Sequence, residues 1–236
     1  MAKSNWTVLT RYTGGQTVSL TEFVSPTTAM TQKGVIAPGT ISSETRIWYT
    51  AASSLVNSRI TAWFKCPKYP TYPGNNLFHY MFFRSTALDP VVPGTYWRIT
   101  NGYQVAFRPA NPNVPLSPSP WTWTVGITRW WNSAYPALQN EALISQYQPY
   151  APFATIASPM DWQKWRASVW TEFGNVVIRT EHWNGSTWDV WYQYEDNSVN
   201  KRTAGGYCGV GLRTDPLSPG GDNAVLIDDV QIESLA

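Results

Sequence analysis

Charged side chains are scarce in this 236-residue chain: Asp, Glu, Lys and Arg make up 14% of it, and the net charge is +2. It has no run of Lys and Arg that would neutralise phosphates, so we expect neither a nucleic-acid partner nor an anionic membrane partner. No apolar segment approaches the roughly 18 residues that a membrane-spanning helix needs. The N-terminal residues lack the apolar core of a signal peptide, so we expect synthesis and folding in the cytoplasm.

Cysteine and histidine are nearly absent, with two of each. Cys66 and Cys208 fit no metal-ligand spacing; we interpret them as unrelated thiols, and a disulfide between them stays open. His79 and His182 alternate with apolar residues, which favours hydrogen bonding within a sheet over a Ser-His-Asp triad. Gly-x-Ser-x-Gly and Walker-type motifs are missing. The sequence therefore predicts no enzyme and no organic cofactor.

Aromatic residues, in contrast, reach 15% of the chain, with 14 Trp, and 18 Pro and 16 Gly are spread along it. This composition favours many short strands. Alternation of apolar and polar residues is the main pattern, most clearly over 121–129, where one face carries Trp121, Trp123, Val125 and Ile127. Helix-forming residues occur in one stretch, 137–147, for which we expect two or three turns.

The last third predicts a three-stranded antiparallel meander followed by two more strands. Its turns are Gly174-Asn175 and Asn184-Gly185-Ser186. The apolar side is predicted to carry Trp165, Ala167, Val169 and Phe173 in the first strand and Trp188, Val190, Tyr192 and Tyr194 in the third.

Two motifs in this third carry a family resemblance: Gly205-Gly-Tyr-Cys-Gly-Val-Gly-Leu-Arg213 and Ile227-Asp228-Asp229-Val230. Their order resembles the concanavalin A-like, laminin-G-like jelly roll. The resemblance implies an all-β, two-layer antiparallel jelly-roll sandwich. We expect one domain over 1–236, with long aromatic and Pro-rich loops and an insert-like loop region at about 130–157. The fold hosts lectins, hydrolases, lyases and virion proteins, so it implies little about function.

Aromatic residues opposite the apolar side of the meander form the predicted binding surface, because a face of Trp, Arg and carboxylates suits either sugar rings or a protein partner. Coverage by another part of the chain is a third alternative. The candidate binding residues, on this face and in the long loops, are Trp170, Trp183, Trp191, Arg179, Trp130, Trp131, Tyr69 and Tyr72.

Asp228 is the main candidate for a metal ligand. It is predicted to share the apolar face of its strand with Leu226, Val230 and Ile232, and a buried carboxylate needs a partner. That partner is Arg213, backbone N–H groups, or a structural Ca²⁺ that would also bind Asp215 and Asp222.

With its Trp- and Pro-rich loops and no apolar signal-peptide core, the chain also resembles phage virion proteins that decorate capsids or form head fibres and tail adhesins. The first hypothesis is therefore a non-catalytic virion subunit, a homo-oligomer that attaches to other capsid or virion subunits through its aromatic loops. The alternative is a lectin-like module that binds a surface glycan. A carbohydrate-active hydrolase or lyase ranks third, because the E-x-D-x-E strand of glucanases with this fold is missing.

Overall fold

The computed structural model describes residues 6–10, 21–23, 34–37, 43–49, 54–65, 78–88, 99–110, 122–131, 139–144, 161–214 and 225–236. Within these ranges the chain forms strands and turns and no helix, so none of the described segments is a helix suited to crossing a membrane. The strands are β1 (Trp6–Thr10), β2 (Thr21–Phe23), β3 (Gly34–Ala37), β4 (Ser43–Tyr49), β5 (Ser58–Lys65), β6 (Phe78–Ser85), β7 (Ala87–Leu88), β8 (Ile99–Thr100), β9 (Gly102–Ala110), β10 (Thr122–Trp131), β11 (Gln139–Ile144), β12 (Gln163–Glu172), β13 (Asn175–Trp183), β14 (Trp188–Asp196), β15 (Tyr207–Thr214) and β16 (Val225–Ser234).

Two seven-stranded antiparallel sheets make up the body of the fold. Sheet A has the order β1-β4-β15-β6-β9-β10-β11, and sheet B has the order β14-β13-β12-β5-β16-β3-β2. Neighbours such as β4 and β15, or β5 and β16, are far apart in the chain, as jelly-roll connections require. The predicted two-layer all-β sandwich is confirmed.

The hydrophobic core lies between the two sheets and confirms the alternation predicted for β10. Trp123, Val125 and Ile127 are fully buried, while Trp121 lies outside the described residues. Trp165 from sheet B packs edge-on against Trp123, with ring centroids 5.9 Å apart. Such aromatic pairs add to the free energy gained from area burial alone. The core also contains Ile60, Ala62, Phe64, Met81, Phe83, Tyr103, Val105, Phe107, Ala167, Val169, Val176, Ile178 and Val210.

The helix predicted over 137–147 is wrong, because Gln139–Ile144 form the edge strand β11. This strand pairs with the end of β10, from Trp131↔Gln139 to Ile127↔Ile144. Pairing with an existing sheet edge outweighs the modest helix propensity of the segment. The region 130–157 is therefore strand in part, and 132–138 and 145–160 lie outside the described residues.

The first meander turn is displaced by one residue from its prediction. Phe173 and Gly174 occupy it with φ values of 48° and 80°, and Asn175 already begins β13. Both central residues of a type I′ turn need positive φ, which places Gly174 second rather than first. Phe173 therefore points into solvent, 98% exposed, and does not join the apolar face as predicted.

A buried polar cluster lies at the end of the sandwich where β12 reaches the Phe173-Gly174 turn. The fully buried Arg84 donates to Val56 O at 2.7 Å, to Arg202 O at 2.7 Å and to Thr171 Oγ1 at 2.9 Å. Burial lowers the pKa of Arg84 to about 10, because the charged form loses solvation. Its acceptors are neutral, so the cluster joins separate chain segments without a carboxylate.

Close to this cluster lies the ion pair of Asp196 with Arg129, 2.7 Å between Oδ1 and Nη1. Tyr103 Oη donates to Asp196 Oδ2 at 2.8 Å. Burial opposes ionisation of Asp196, but hydrogen bonds from Ser198, Arg129 and Tyr103 outweigh it and lower its pKa. The pair links β10 of sheet A to the end of β14 in sheet B.

Candidate functional site

The outer face of sheet B carries the polar side of the meander. Along β12, Ser168 and its alternate neighbours point away from the core, whereas Ala167 and Val169 point into it. The register places Arg166 opposite Glu181 of β13, and Ser168 between Arg179 of β13 and Arg59 of β5. Side chains from three adjacent strands therefore meet on one surface.

A shallow cleft of about 230 Å³ opens on this face. Three arginines and one glutamate line it, so its local net charge is positive. Such a lining combines guanidinium and hydroxyl donors with the broad apolar surface of one indole ring. The lining residues are Arg59, Arg166, Ser168, Trp170, Arg179, Glu181 and Leu235.

Glu181 forms its hydrogen bonds with Arg166. The two form a forked pair, with Nε–Oε2 at 2.5 Å and Nη2–Oε1 at 2.8 Å. The Glu181 side chain is 4% exposed, and its Oε1 lies 3.6 Å from Arg179 Nε, which is beyond hydrogen-bond distance. Arg179 remains 38% exposed at the cleft.

Trp170 of β12 and Arg59 of the adjacent strand β5 both line the cleft. The half-buried Trp170 donates from Nε1 to Glu172 Oε2 at 3.2 Å, a contact that orients its indole. Arg59 donates from Nε to Ser168 Oγ at 3.0 Å. Because Nε is used in this way, the remaining N–H groups of the Arg59 guanidinium are available to a ligand.

A row of aromatic rings and cations continues the face beyond the cleft. Trp183 packs against Trp188, with centroids 5.4 Å apart. The Arg166 guanidinium lies 4.2 Å from the Trp188 ring, and Lys164 Nζ lies 5.7 Å from Trp63 and 5.8 Å from Trp188. These distances allow cation–π attraction, so Arg166 and Lys164 already have partners within the fold.

The outer-face position predicted for Trp191 is wrong, because this side chain is 2% exposed and belongs to the core. The register of β13 and β14 shifts between Thr180 and Glu181, and Trp191 is the extra residue of that β-bulge. Because the bulge breaks the alternation of β14, Trp188 also differs from its prediction. It pairs with Trp183 on the outer face, whereas Tyr192 and Tyr194 pack against the core as predicted.

The other predicted binding residues are not brought to this cleft within the described part of the chain. Trp130 is half-buried in β10 of sheet A, opposite Gly102 and Asn140. Trp131 ends the same strand, and its side chain lies outside the described residues, as do Tyr69 and Tyr72. Of the predicted binding residues, Trp170, Trp183 and Arg179 therefore lie on the outer face of sheet B.

The predicted face of Asp228 is also wrong, although the residue is buried, at 3% exposed. β16 is irregular between Asp228 and Gln231, and Asp229 has a φ of 45°. The bulge turns Ile227 and Val230 to the core, while Asp228 lies opposite Trp63. Asp228 Oδ1 accepts a hydrogen bond from the Asp229 backbone N at 2.7 Å.

A calcium site is not assembled by the residues that the structure describes. No group of three His, Cys, Asp or Glu side chains among them converges as metal ligands do. Asp215 and Asp222 lie outside the described residues, and Arg213 belongs to β15 in the other sheet. Asp228 alone supplies too few oxygens for Ca²⁺.

His182 lies inside the sandwich and does not line the cleft. Its Nε2 is 2.8 Å from Gln163 Oε1, which confirms the predicted hydrogen bond within the sheet. Burial lowers its pKa to about 4, against a smaller opposite effect from Asp189. Cys208 is a free, buried thiol whose Sγ lies 3.3 Å from Ser58 Oγ.

Solved structures similar to this chain share its two-layer all-β architecture, which confirms the fold predicted from the sequence. One is the Emp46p carbohydrate recognition domain in its potassium-bound form, with a TM-score of 0.54 at 11% identity, covering 98% of this chain and 89% of that one. Another is the VIP36 exoplasmic/lumenal domain with Ca²⁺ and Man3GlcNAc, with a TM-score of 0.52 at 13% identity, covering 99% and 87%. No family model and no curated protein matches the chain.

Proposed function

We propose that this chain is a non-catalytic glycan-binding module that holds sugar in the cleft on the outer face of sheet B. The observation that carries the proposal is the position of Trp170 beside guanidinium and hydroxyl donors. An aromatic face packs against the C–H surface of a sugar ring, while such donors bond its oxygens. The Emp46p domain is a carbohydrate recognition domain and the VIP36 domain carries Man3GlcNAc, which supports a sugar ligand here.

The single carboxylate that lines the cleft supports binding rather than hydrolysis. Glycosidases of the common mechanisms place two carboxyl groups on either side of the bond that they break. The lining of this cleft contains one carboxylate, Glu181, and it is held by Arg166. An acid and a nucleophile are therefore not both supplied by these lining residues.

A glycan array with purified wild-type protein and the variant Trp170→Ala tests the proposal. We expect wild type to bind at least one class of glycan and Trp170→Ala to lose about tenfold in affinity, as for a central aromatic contact. Phe173→Ala is the matched control, because it removes an exposed aromatic side chain that does not line the cleft. Absence of binding by folded wild type, or full binding by Trp170→Ala, would contradict the proposal.

A second candidate is the attachment function expected from the sequence, with a virion location and a homo-oligomer. Two exposed apolar side chains favour it: Phe173 is 98% and Val199 is 96% exposed. Exposed apolar side chains mark a contact surface only where they form one patch, and Arg84 joins the segments next to these two residues by bonding both Thr171 and Arg202. Size-exclusion chromatography with light scattering tests the oligomer, and a monomer at every concentration would count against this candidate.

A further inference from the structure

Two arginines of the cleft, Arg59 and Arg179, form no hydrogen bond with a carboxylate among the described residues. Glu181 accepts two hydrogen bonds from Arg166 and forms only a longer ion pair with Arg179, 3.6 Å between Oε1 and Nε. Arg59 bonds the neutral Ser168. The exposed Glu233 lies opposite Arg59 on β16, but no ion pair joins them in the described structure. Positive charge therefore remains available at Arg59 and Arg179.

The register places these two cations symmetrically about Ser168. Arg179 and Arg59 lie on the two strands that flank β12, and both are direct neighbours of Ser168. Adjacent strands are about 4.8 Å apart, so the Cα atoms of the two arginines are about 10 Å apart. Both side chains line the same cleft as Trp170. A small anion between the guanidinium groups would accept from both and remain within reach of the indole.

We propose that the glycan bound in this cleft is acidic, and that its anionic group binds between Arg59 and Arg179 while its sugar ring packs on Trp170. The inference rests on the proposed function, since it names the ligand class of the same cleft. Guanidinium groups match carboxylate and sulfate oxygens through paired N–H donors, and charge-assisted hydrogen bonds are the stronger kind. A carboxylate or a sulfate ester would supply the required acceptors.

Isothermal titration at physiological salt with three probes tests the inference: oligogalacturonate, its fully methyl-esterified form, and a sulfated galactan oligosaccharide. The ester keeps the sugar chain and removes the charge. We expect at least one of the two acidic probes to bind tenfold or more tightly than the ester. The better of the two acids identifies the anionic group as carboxylate or sulfate.

Variants then separate a specific site from general charge attraction. We expect Arg59→Gln and Arg179→Gln each to weaken acidic binding about tenfold, because each removes charge-assisted hydrogen bonds. Lys164→Gln is the matched control: it removes one positive charge from the same face, but Lys164 does not line the cleft. It should change affinity less than twofold. Circular dichroism checks that each variant is folded.

Equal affinity for the acids and the ester would overturn the inference, as would an equal loss in Lys164→Gln. A different set of results would contradict the proposed function itself. If neutral sugars bind and Trp170→Ala removes that binding, the glycan module stands and only the acidic ligand is wrong. If no sugar on the array or among these probes binds the folded protein, both are wrong.

Discussion

Replacing Asp196 with Asn removes the negative charge from a buried ion pair while keeping the shape of the side chain. The side chains of Arg129 and Asp196 are 3% and 1% exposed, so solvent cannot compensate the arginine that remains. Tyr103 Oη donates to Asp196 Oδ2 and accepts from the Arg202 backbone N at 3.0 Å. An amide in place of the carboxylate cannot accept at both of its ends.

Breaking a buried pair by removing one partner costs about 3–5 kcal/mol, and we expect Asp196→Asn to lower the free energy of unfolding by about 4 kcal/mol. For a chain of this size that loss corresponds to a fall of about 10 °C in Tm. Urea unfolding followed by tryptophan fluorescence and by circular dichroism measures it, and coincident transitions justify a two-state analysis.

Two further variants make the Asp196 experiment decisive. Glu195→Gln changes the exposed neighbour on the same strand, which accepts from Asn175 Nδ2 at 2.5 Å, and it should cost less than about 0.5 kcal/mol. Adding Arg129→Met to Asp196→Asn should restore part of the loss, because the buried positive charge that Asp196 balanced is then gone. A loss below about 1 kcal/mol in Asp196→Asn would refute the reasoning.

Two more predictions concern sheet B. The pKa of His182 is lowered to about 4 from an ordinary 6.5, so the unfolded chain binds the extra proton between these values. Stability should therefore fall as pH drops from 6.5 towards 4, by an amount on the order of 3 kcal/mol, and unfolding titrations of His182→Gln should lack this component. Asn184 Oδ1 accepts from the backbone N of Ser186 and of Thr187, at 2.9 Å each, so Asn184→Ala should cost about 1 kcal/mol and 2–4 °C in Tm, and an unchanged thermal melt would contradict it.

Local patterns predicted much of the fold correctly. The meander followed from alternation in β12 and β13, and the second turn followed from Asn184-Gly185, whose Gly185 has a φ of 104°. Alternation also placed Trp170 and Arg179 on one outward face, because both strands keep a regular pleat up to that point. These features depend on residues close together in the chain, and sequence patterns record such residues directly.

Features set by pairing with a distant strand were missed. The β14 bulge that buries Trp191 arises where β14 pairs with β13, and the residue types in β14 do not indicate a bulge. Arg59 joins Arg179 only because β5, more than a hundred residues earlier, pairs with β12. β11 is a strand because an edge of sheet A accepts it. Register across long separations decides these outcomes, and a single sequence does not encode it locally.

The buried guanidinium of Arg84 has a consequence for how the chain reaches its native topology. Arg84 lies on β6 of sheet A and its acceptor Thr171 on β12 of sheet B, so Arg84 reaches its acceptors only after the two sheets have packed together. A strand displaced by one residue would leave a dry positive charge without acceptors, which costs several kcal/mol. The buried charge of Arg84 therefore raises the free energy of misregistered intermediates far more than it stabilises the native register.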